Sequence, residues 1–330
     1  PMTLEIKTSN IKPIRNTYGH IARRFGDKPA SRYQEATYDN AALVNFHYKP
    51  LWDPDHDLND PRRTAIHMED WYALKDPRQF YYGTYVQNRA QMQEKAEGNF
   101  SFFEKRDLAA RLSEDVLSKC VRFLLPLRHV EQTANLNNMH CSASTNYCTA
   151  LAQATKFEAM DRLGNAQYFS RVGLALDGNS GSTLNEAKEF WMTDSAWQGV
   201  RALCEKTLTV KDWYETFLAQ NLVFDSLLND LYYRQMDAWL SANGGQDLLI
   251  LLDFMSSRLT DSQRWVDSVV KLTAAESDGN KELVQSWISA WRISAQQALE
   301  PLASAMLGEE ALADAFSALE TRLGKIGLGG

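Results

Sequence analysis

The spacing of histidines and carboxylates is the first place to look for chemistry in this 330-residue chain. A helix carrying Glu-x-x-His presents both ligands on one face, where they can share a metal pair. The six histidines stand at 20, 47, 56, 67, 129 and 140. Three residues before them stand Thr17, Val44, Asp53, Thr64, Pro126 and Asn137, so none completes that pair. Asp53 is acidic, but it sits in a proline-rich loop. No histidine follows residue 140, so a helix from the second half cannot supply one. The expectation is a chain with no catalytic, cofactor-binding or metal-binding residue of its own.

Other patterns fall short of a site. Asp53-x-Asp55-x-Asp57 opens like a calcium loop, but Leu58 stands where that loop needs glycine and Thr64 where it needs glutamate. His56, His67, Glu69 and Asp70 lack metal-ligand spacing. Cys141 and Cys148 are separated by ~10 Å of helical rise, too far for one zinc, and read as buried thiols. Four cysteines without a C-x-x-C pair fit a reducing cytoplasm. Asp177-Gly178-Asn179-Ser180-Gly181-Ser182 matches neither a P-loop nor G-x-S-x-G and reads as a turn between helices.

Two textures of sequence must position whatever the chain does. Residues 1–104 hold seven of the nine prolines and 16 of the 36 aromatics. Proline fixes φ and removes a donor, so residues 1–67 are expected to be irregular and extended. Their aromatics, among them Tyr18, Phe25, Tyr33, Tyr38, Phe46, Tyr48 and Trp52, must pack on the chain's own body, grip a partner, or both. From about residue 68 helices take over. One is expected over 80–97 with Gly98-Asn99 as its stop. A long stretch over 105–150 should be kinked or split at Pro126. Further helices are expected over 150–176, from Thr183-x-x-Glu186 (a capping box) onward, and over 212–242. Gln246–Leu259 is apolar nearly all round, and Thr260-x-x-Gln263 suggests a break after it. Val284, Trp287, Ile288 and Trp291 form another stripe, and residues 323–330 are expected to fray. Six or more long helices with short connections pack naturally as a bundle.

Composition narrows the partners. The net charge is −7 with no basic stripe, which argues against nucleic acid. The longest aliphatic run, Leu248 to Leu252, is far short of the ~20 residues that span a bilayer. Residues 1–10 carry no apolar core of a secretory signal. No membrane association and a cytoplasmic location are expected.

The run Trp71-Tyr72-Ala73-Leu74-Lys75-Asp76-Pro77-Arg78-Gln79-Phe80-Tyr81-Tyr82-Gly83-Thr84-Tyr85 resembles the signature region of beta (small oxygenase) subunits of bacterial multicomponent monooxygenases. The resemblance extends through Ala290-Trp291-Arg292 and is nearest the phenol hydroxylases. It implies an all-α, ferritin-like helical bundle over 105–330, with residues 1–104 forming an arm and first helices that embrace a partner. It also implies a non-catalytic structural subunit of an (αβγ)₂ hydroxylase. There the alpha subunit holds a di-iron centre, and a gamma subunit joins the two. A reductase with FAD and a 2Fe-2S cluster supplies electrons from NADH, and a small regulatory protein tunes hydroxylation of phenol or related arenes by O₂. Laid on this chain, the alpha subunit's ligand set would fall on Glu131, Met160, Leu163, Asp225, Ser256 and Leu259, leaving two carboxylates with Met, Leu, Ser and Leu in the other places. Glu131 and Asp225 would then make interhelical hydrogen bonds or ion pairs, or else face water. A stand-alone helical small-molecule-binding protein is the rival reading, and a self-sufficient enzyme with an unrecognised site is another.

Overall fold

The computed structural model describes residues 17–26 and 28–329, and it is an all-α bundle; among these residues there is no β-strand. The first sixteen residues of the expected arm lie outside the described residues. The next ones form two short helices, α1 (Gly19–Phe25) and α2 (Arg32–Thr37), then an irregular run with single 3-10 turns at Pro61–Arg63 and Trp71–Ala73. Asp60 and Asp70 cap those turns with their carboxylates. Prolines 50, 54 and 61 keep longer helices from forming there.

Part of this irregular segment is fastened to the bundle. Tyr33 and Tyr38 are buried. The Tyr33 hydroxyl accepts from the Asp76 amide at 2.9 Å. Tyr38 stacks on Tyr72 with centroids 5.1 Å apart. Gln153 and Thr149 donate to the carbonyls of Ala36 and Thr37. Tyr18, Tyr48 and Trp52 are instead mostly exposed, as are Leu43, Val44 and Leu51. The aromatics of this region thus divide between self-packing and exposure.

The bundle begins with α3 (Tyr82–Lys105), which runs straight through Gly98-Asn99. Phe100 and Phe103 are fully buried beyond the expected stop, and Asn99 donates to the Ile250 carbonyl. Tertiary packing here outweighs helix propensity. Next come α4 (Glu114–Lys119), a π-helical turn over Cys120–Leu124, and α5 (Leu127–Ser144), so the stretch is split beside Pro126. After these follow α6 (Thr149–Leu176), α7 (Ser182–Thr193) and α8 (Ser195–Thr207). The capping box expected at Thr183 does not form. Its hydroxyl lies between the Gly173 carbonyl and the Asp177 carboxylate, and that carboxylate takes the Thr183 amide.

Residues 213–242 make one rod: α9 (Trp213–Phe217), a π segment over Leu218–Phe224, α10 (Asp225–Asp230), a second π segment over Leu231–Met236, and α11 (Asp237–Ala242). Asp212 caps it by accepting from the Tyr214 and Glu215 amides. Then α12 (Gln246–Glu276) continues unbroken through Thr260, whose hydroxyl donates back to Ser256 O. The chain closes with α13 (Asp278–Leu307) and α14 (Ala311–Lys325). Leu323, Ile326 and Leu328 are buried, so the tail is packed as far as residue 328 rather than frayed. Helices α5, α6, the 213–242 rod and α12 surround one interior with acidic side chains projecting inward, the layout of a ferritin-like bundle.

A buried carboxylate and guanidinium junction as the candidate functional site

The inward face of α6 is set by a spacing of three and four: Leu151, Ala154, Glu158, Asp161, Arg162, Asn165, Phe169 and Val172 are all buried. Three charged residues therefore enter the core on one turn of helix. Burying a charge is tolerable only when it is paired and hydrogen-bonded. Arg162 meets that condition by tying its own helix to two others. Its Nε donates to Glu158 Oε1 at 2.9 Å, its Nη1 to Glu131 Oε2 of α5 at 3.1 Å, and its Nη2 to Asp225 of α10. Asp225, the first residue after the π segment, also accepts from Gln220 Nε2 at 3.1 Å. Gln220 in turn accepts from Asn137, and Asn138 pairs with Asn221.

A second guanidinium enters from α12. Arg258 Nη1 lies 3.4 Å from both Glu158 Oε1 and Asp161 Oδ2, and Ser262 donates to Glu158 Oε2 at 2.8 Å. Asp161 is further held by both arms of Arg89 at 2.9 Å and by the Tyr85 hydroxyl. Burial alone would raise the Glu158 pKa. Arg258 and Arg162, with Arg78 and the Ser262 hydroxyl, outweigh it and hold the carboxyl at about 2. The same carboxylates keep both guanidiniums charged against a burial cost that acts the other way.

The chemistry open to this junction is narrow. Each of its carboxylates is committed to a fixed cation, and a guanidinium offers donors but no lone pair for a metal. Among the described residues no group of three or more His, Cys, Asp or Glu side chains is placed to hold a metal ion. His56 is engaged with Asp53, and Cys120, Cys141, Cys148 and Cys204 are buried with thiols pushed up to about 12 or beyond by desolvation. What the junction can do is lock five helices, α3, α5, α6, α10 and α12, in register.

Of the residues singled out in the sequence, Glu131 and Asp225 are brought together, as partners of one arginine. The others do not join them. Met160 and Leu163 are 56% and 41% exposed, on the outer face of α6. A register that puts them inside does not fit this helix, because Glu158 and Asp161 hold the inward i, i+3 positions instead. Leu259 is buried but stands one residue beyond Arg258, and half-buried Ser256 lines surface clefts with Tyr233. The missed residues are Glu158, Asp161, Arg162 and Arg258. The first three carry a visible signal, a Glu-x-x-Asp-Arg set falling on the apolar stripe of α6, while Arg258 stands among the buried positions of α12.

Comparison with known proteins follows the same outline. The family model described as methane/phenol/alkene hydroxylase matches residues 52–277. The oxygenase component MhpL of phenol 2-monooxygenase from Acinetobacter pittii (strain PHEA-2) is 54% identical, over 99% of this chain and 98% of its own. The beta subunit of the toluene-4-monooxygenase hydroxylase component from Ectopseudomonas mendocina is 28% identical, over 91% of this chain and 93% of its own. Among solved structures, a chain of the xenon-pressurized phenol hydroxylase from Pseudomonas sp. OX1 superposes with a TM-score of 0.94 at 51% identity, covering 99% of both chains.

Proposed function

Because the chain belongs to the methane/phenol/alkene hydroxylase family, we propose that it is the non-catalytic beta subunit of a multicomponent phenol or arene hydroxylase. The observation that carries this reading is the Arg162 junction: inward carboxylates on three helices converge on a guanidinium. A relative that covers nearly this whole chain is named as an oxygenase component, and another as a beta subunit, which supports the same role. On this reading the di-iron centre lies in an alpha subunit and a gamma subunit completes an (αβγ)₂ complex. FAD and a 2Fe-2S cluster belong to a reductase that draws on NADH, and a regulatory protein acts on the whole. Glu131 and Asp225 stand as carboxylates of a former ligand set, now serving packing.

Residues 1–104 would supply the partner-embracing surface. The exposed side chains of Leu43, Val44, Tyr48, Leu51 and Trp52 support this, since apolar groups grouped in so short a segment favour an interface. No helix among the described residues is long and apolar enough to cross a membrane.

The test is metal analysis and turnover of the chain expressed alone and with its candidate partners. The expected result is no stoichiometric iron and no phenol hydroxylation by the chain alone, with an alpha and a gamma chain co-purifying in equal ratio. Stoichiometric iron in the isolated chain, or turnover without a partner, refutes the reading.

A further inference from the structure

Between residues 42 and 65 the chain has no helix beyond one 3-10 turn, yet its shape is fixed by a single buried side chain. Arg63 is buried. Its Nε donates to Asp53 Oδ2 at 2.9 Å, its Nη1 to the Leu58 carbonyl at 2.8 Å and its Nη2 to the Asp57 carbonyl at 2.9 Å. The guanidinium also lies 4.6 Å from the Trp52 ring centroid. Backbone and side-chain ties close the loop around it. The Leu58 amide donates to the Tyr48 carbonyl, Asn59 donates to the Ala42 carbonyl, and the Ala65 amide donates to Asp212 on the bundle.

What this loop presents has no use in the chain's own fold. Leu51 stands wholly in water between Pro50 and Trp52, and more than half of Trp52 and of Tyr48 is exposed beside it. Three neighbouring apolar side chains held outward on a fixed loop contribute nothing to folding. They favour binding, because a loop already in its bound shape loses little entropy on docking. The Asp53-x-Asp55-x-Asp57 pattern divides in the same way. Asp53 turns inward to Arg63, whereas Asp55 and Asp57 are exposed. Arg62 and Arg63 are engaged with Asp60 and Asp53, so Asp55 and Asp57 outnumber the remaining Lys49 on the outer side.

We infer that residues 48–58 are a preorganised docking loop: Leu51, flanked by Tyr48 and Trp52, enters an apolar recess of a partner protein whose rim is basic and meets Asp55 and Asp57. Arg63 is a positioning residue, which touches no partner and acts by holding the loop's shape. The inference rests on the subunit reading above, and the partner is another chain of that hydroxylase. The acidic excess opposes a membrane in this place, since an anionic leaflet would repel it.

The test is a competition in which wild-type and variant full-length chains, carrying different tags, are co-expressed with the alpha and gamma chains and compete for them. Leu51→Ser and Arg63→Gln should each be incorporated about tenfold or more less than wild type. The double variant should lose no more than about twofold beyond Leu51→Ser, because Arg63 acts through the same loop. Hydrogen exchange of the Arg63→Gln chain should show lost protection at the Asp53 and Leu58 amides, with α5 and α12 unchanged. Should Arg63→Gln not fold, Asp53→Asn loosens the same loop. Asp55→Asn with Asp57→Asn should be disfavoured at about 0.05 M salt and reach parity at about 0.5 M. Equal incorporation of Leu51→Ser, unchanged incorporation of a chain whose loop has lost protection, additive losses in the double variant, or parity of the aspartate variant at low salt overturns the proposal. So does wild-type binding to phosphatidylserine vesicles that Leu51→Ser abolishes. If wild type draws down no alpha or gamma chain, the subunit reading fails and the docking loop with it; if wild type assembles and Leu51→Ser assembles equally, the docking loop alone falls.

Discussion

At the scale of single residues, Arg162 governs the interior. Arg162→Met leaves Glu131, Glu158 and Asp225 without their shared partner. Breaking a buried pair in this way costs about 3–5 kcal/mol, far more than the pair's net worth against a well-packed apolar replacement. Urea denaturation should show the loss as a lower midpoint. The junction also makes stability depend on pH. Glu158 has an ordinary value of 4.5 and is held at about 2 in the folded chain. Its contribution is therefore complete above 4.5 and drains away as pH falls toward 2, because the unfolded chain takes up the proton first. Thermal melts between pH 5 and pH 2, on the order of that window, should fall more steeply for wild type than for Glu158→Gln. Sequence reading located Glu131 and Asp225 through a family resemblance, yet it passed over Glu158 and Arg162. A charged residue is ordinarily assigned to water, and only its position on the stripe of Leu151, Ala154 and Phe169 shows that this one is not.

At the scale of elements, helix starts set by local chemistry were legible and helix ends decided by distant contacts were not. Asp212 caps a helix where the sequence puts it, and the glycine turn at 177–181 ends α6. Gly98-Asn99 looked like a stop, but the reason α3 continues lies in Phe100, Phe103 and the Asn99 bond to Ile250, more than a hundred residues away. Thr260 looked like a start, but the apolar faces on both sides of it continue in one line along α12. The π segments had no visible mark, since their widened turns follow from packing rather than from composition. Close approach of elements gives a direct test. A Cβ on Gly199 of α8 would stand 2.7 Å from the Ala298 carbonyl oxygen of α13. The obstacle is backbone, which cannot rotate away. Gly199→Ala should therefore destabilise by about 1–3 kcal/mol through overpacking, read as a lower melting temperature.

At the scale of the whole molecule, the exposed arm should separate folding from assembly. Val44 and Leu51 are 86% and 102% exposed, so they contribute little to the chain's own core. Val44→Asp with Leu51→Asp should leave the chain's melting behaviour within about 0.5 kcal/mol of wild type. If this segment grips a partner, the same pair should weaken co-purification by about 2 kcal/mol or more, the range of interface hot spots. Pull-down against the partner chains reads the second effect and calorimetry the first. Unchanged assembly would mean that the gripping surface lies elsewhere.

The Arg162 junction also limits how this sequence can drift. Glu131, Glu158 and Asp225 are each held by Arg162, so neither the arginine nor the acids can be exchanged one at a time without leaving buried charge behind. Neutral wandering at these sites is closed, while the exposed face of the same helix, with Met160 and Leu163, stays free to vary. A descendant of this chain could acquire a metal-binding interior here only by crossing intermediates less stable than either end. The interior is thus a one-way door in sequence space: a structural commitment that every later change must be built around.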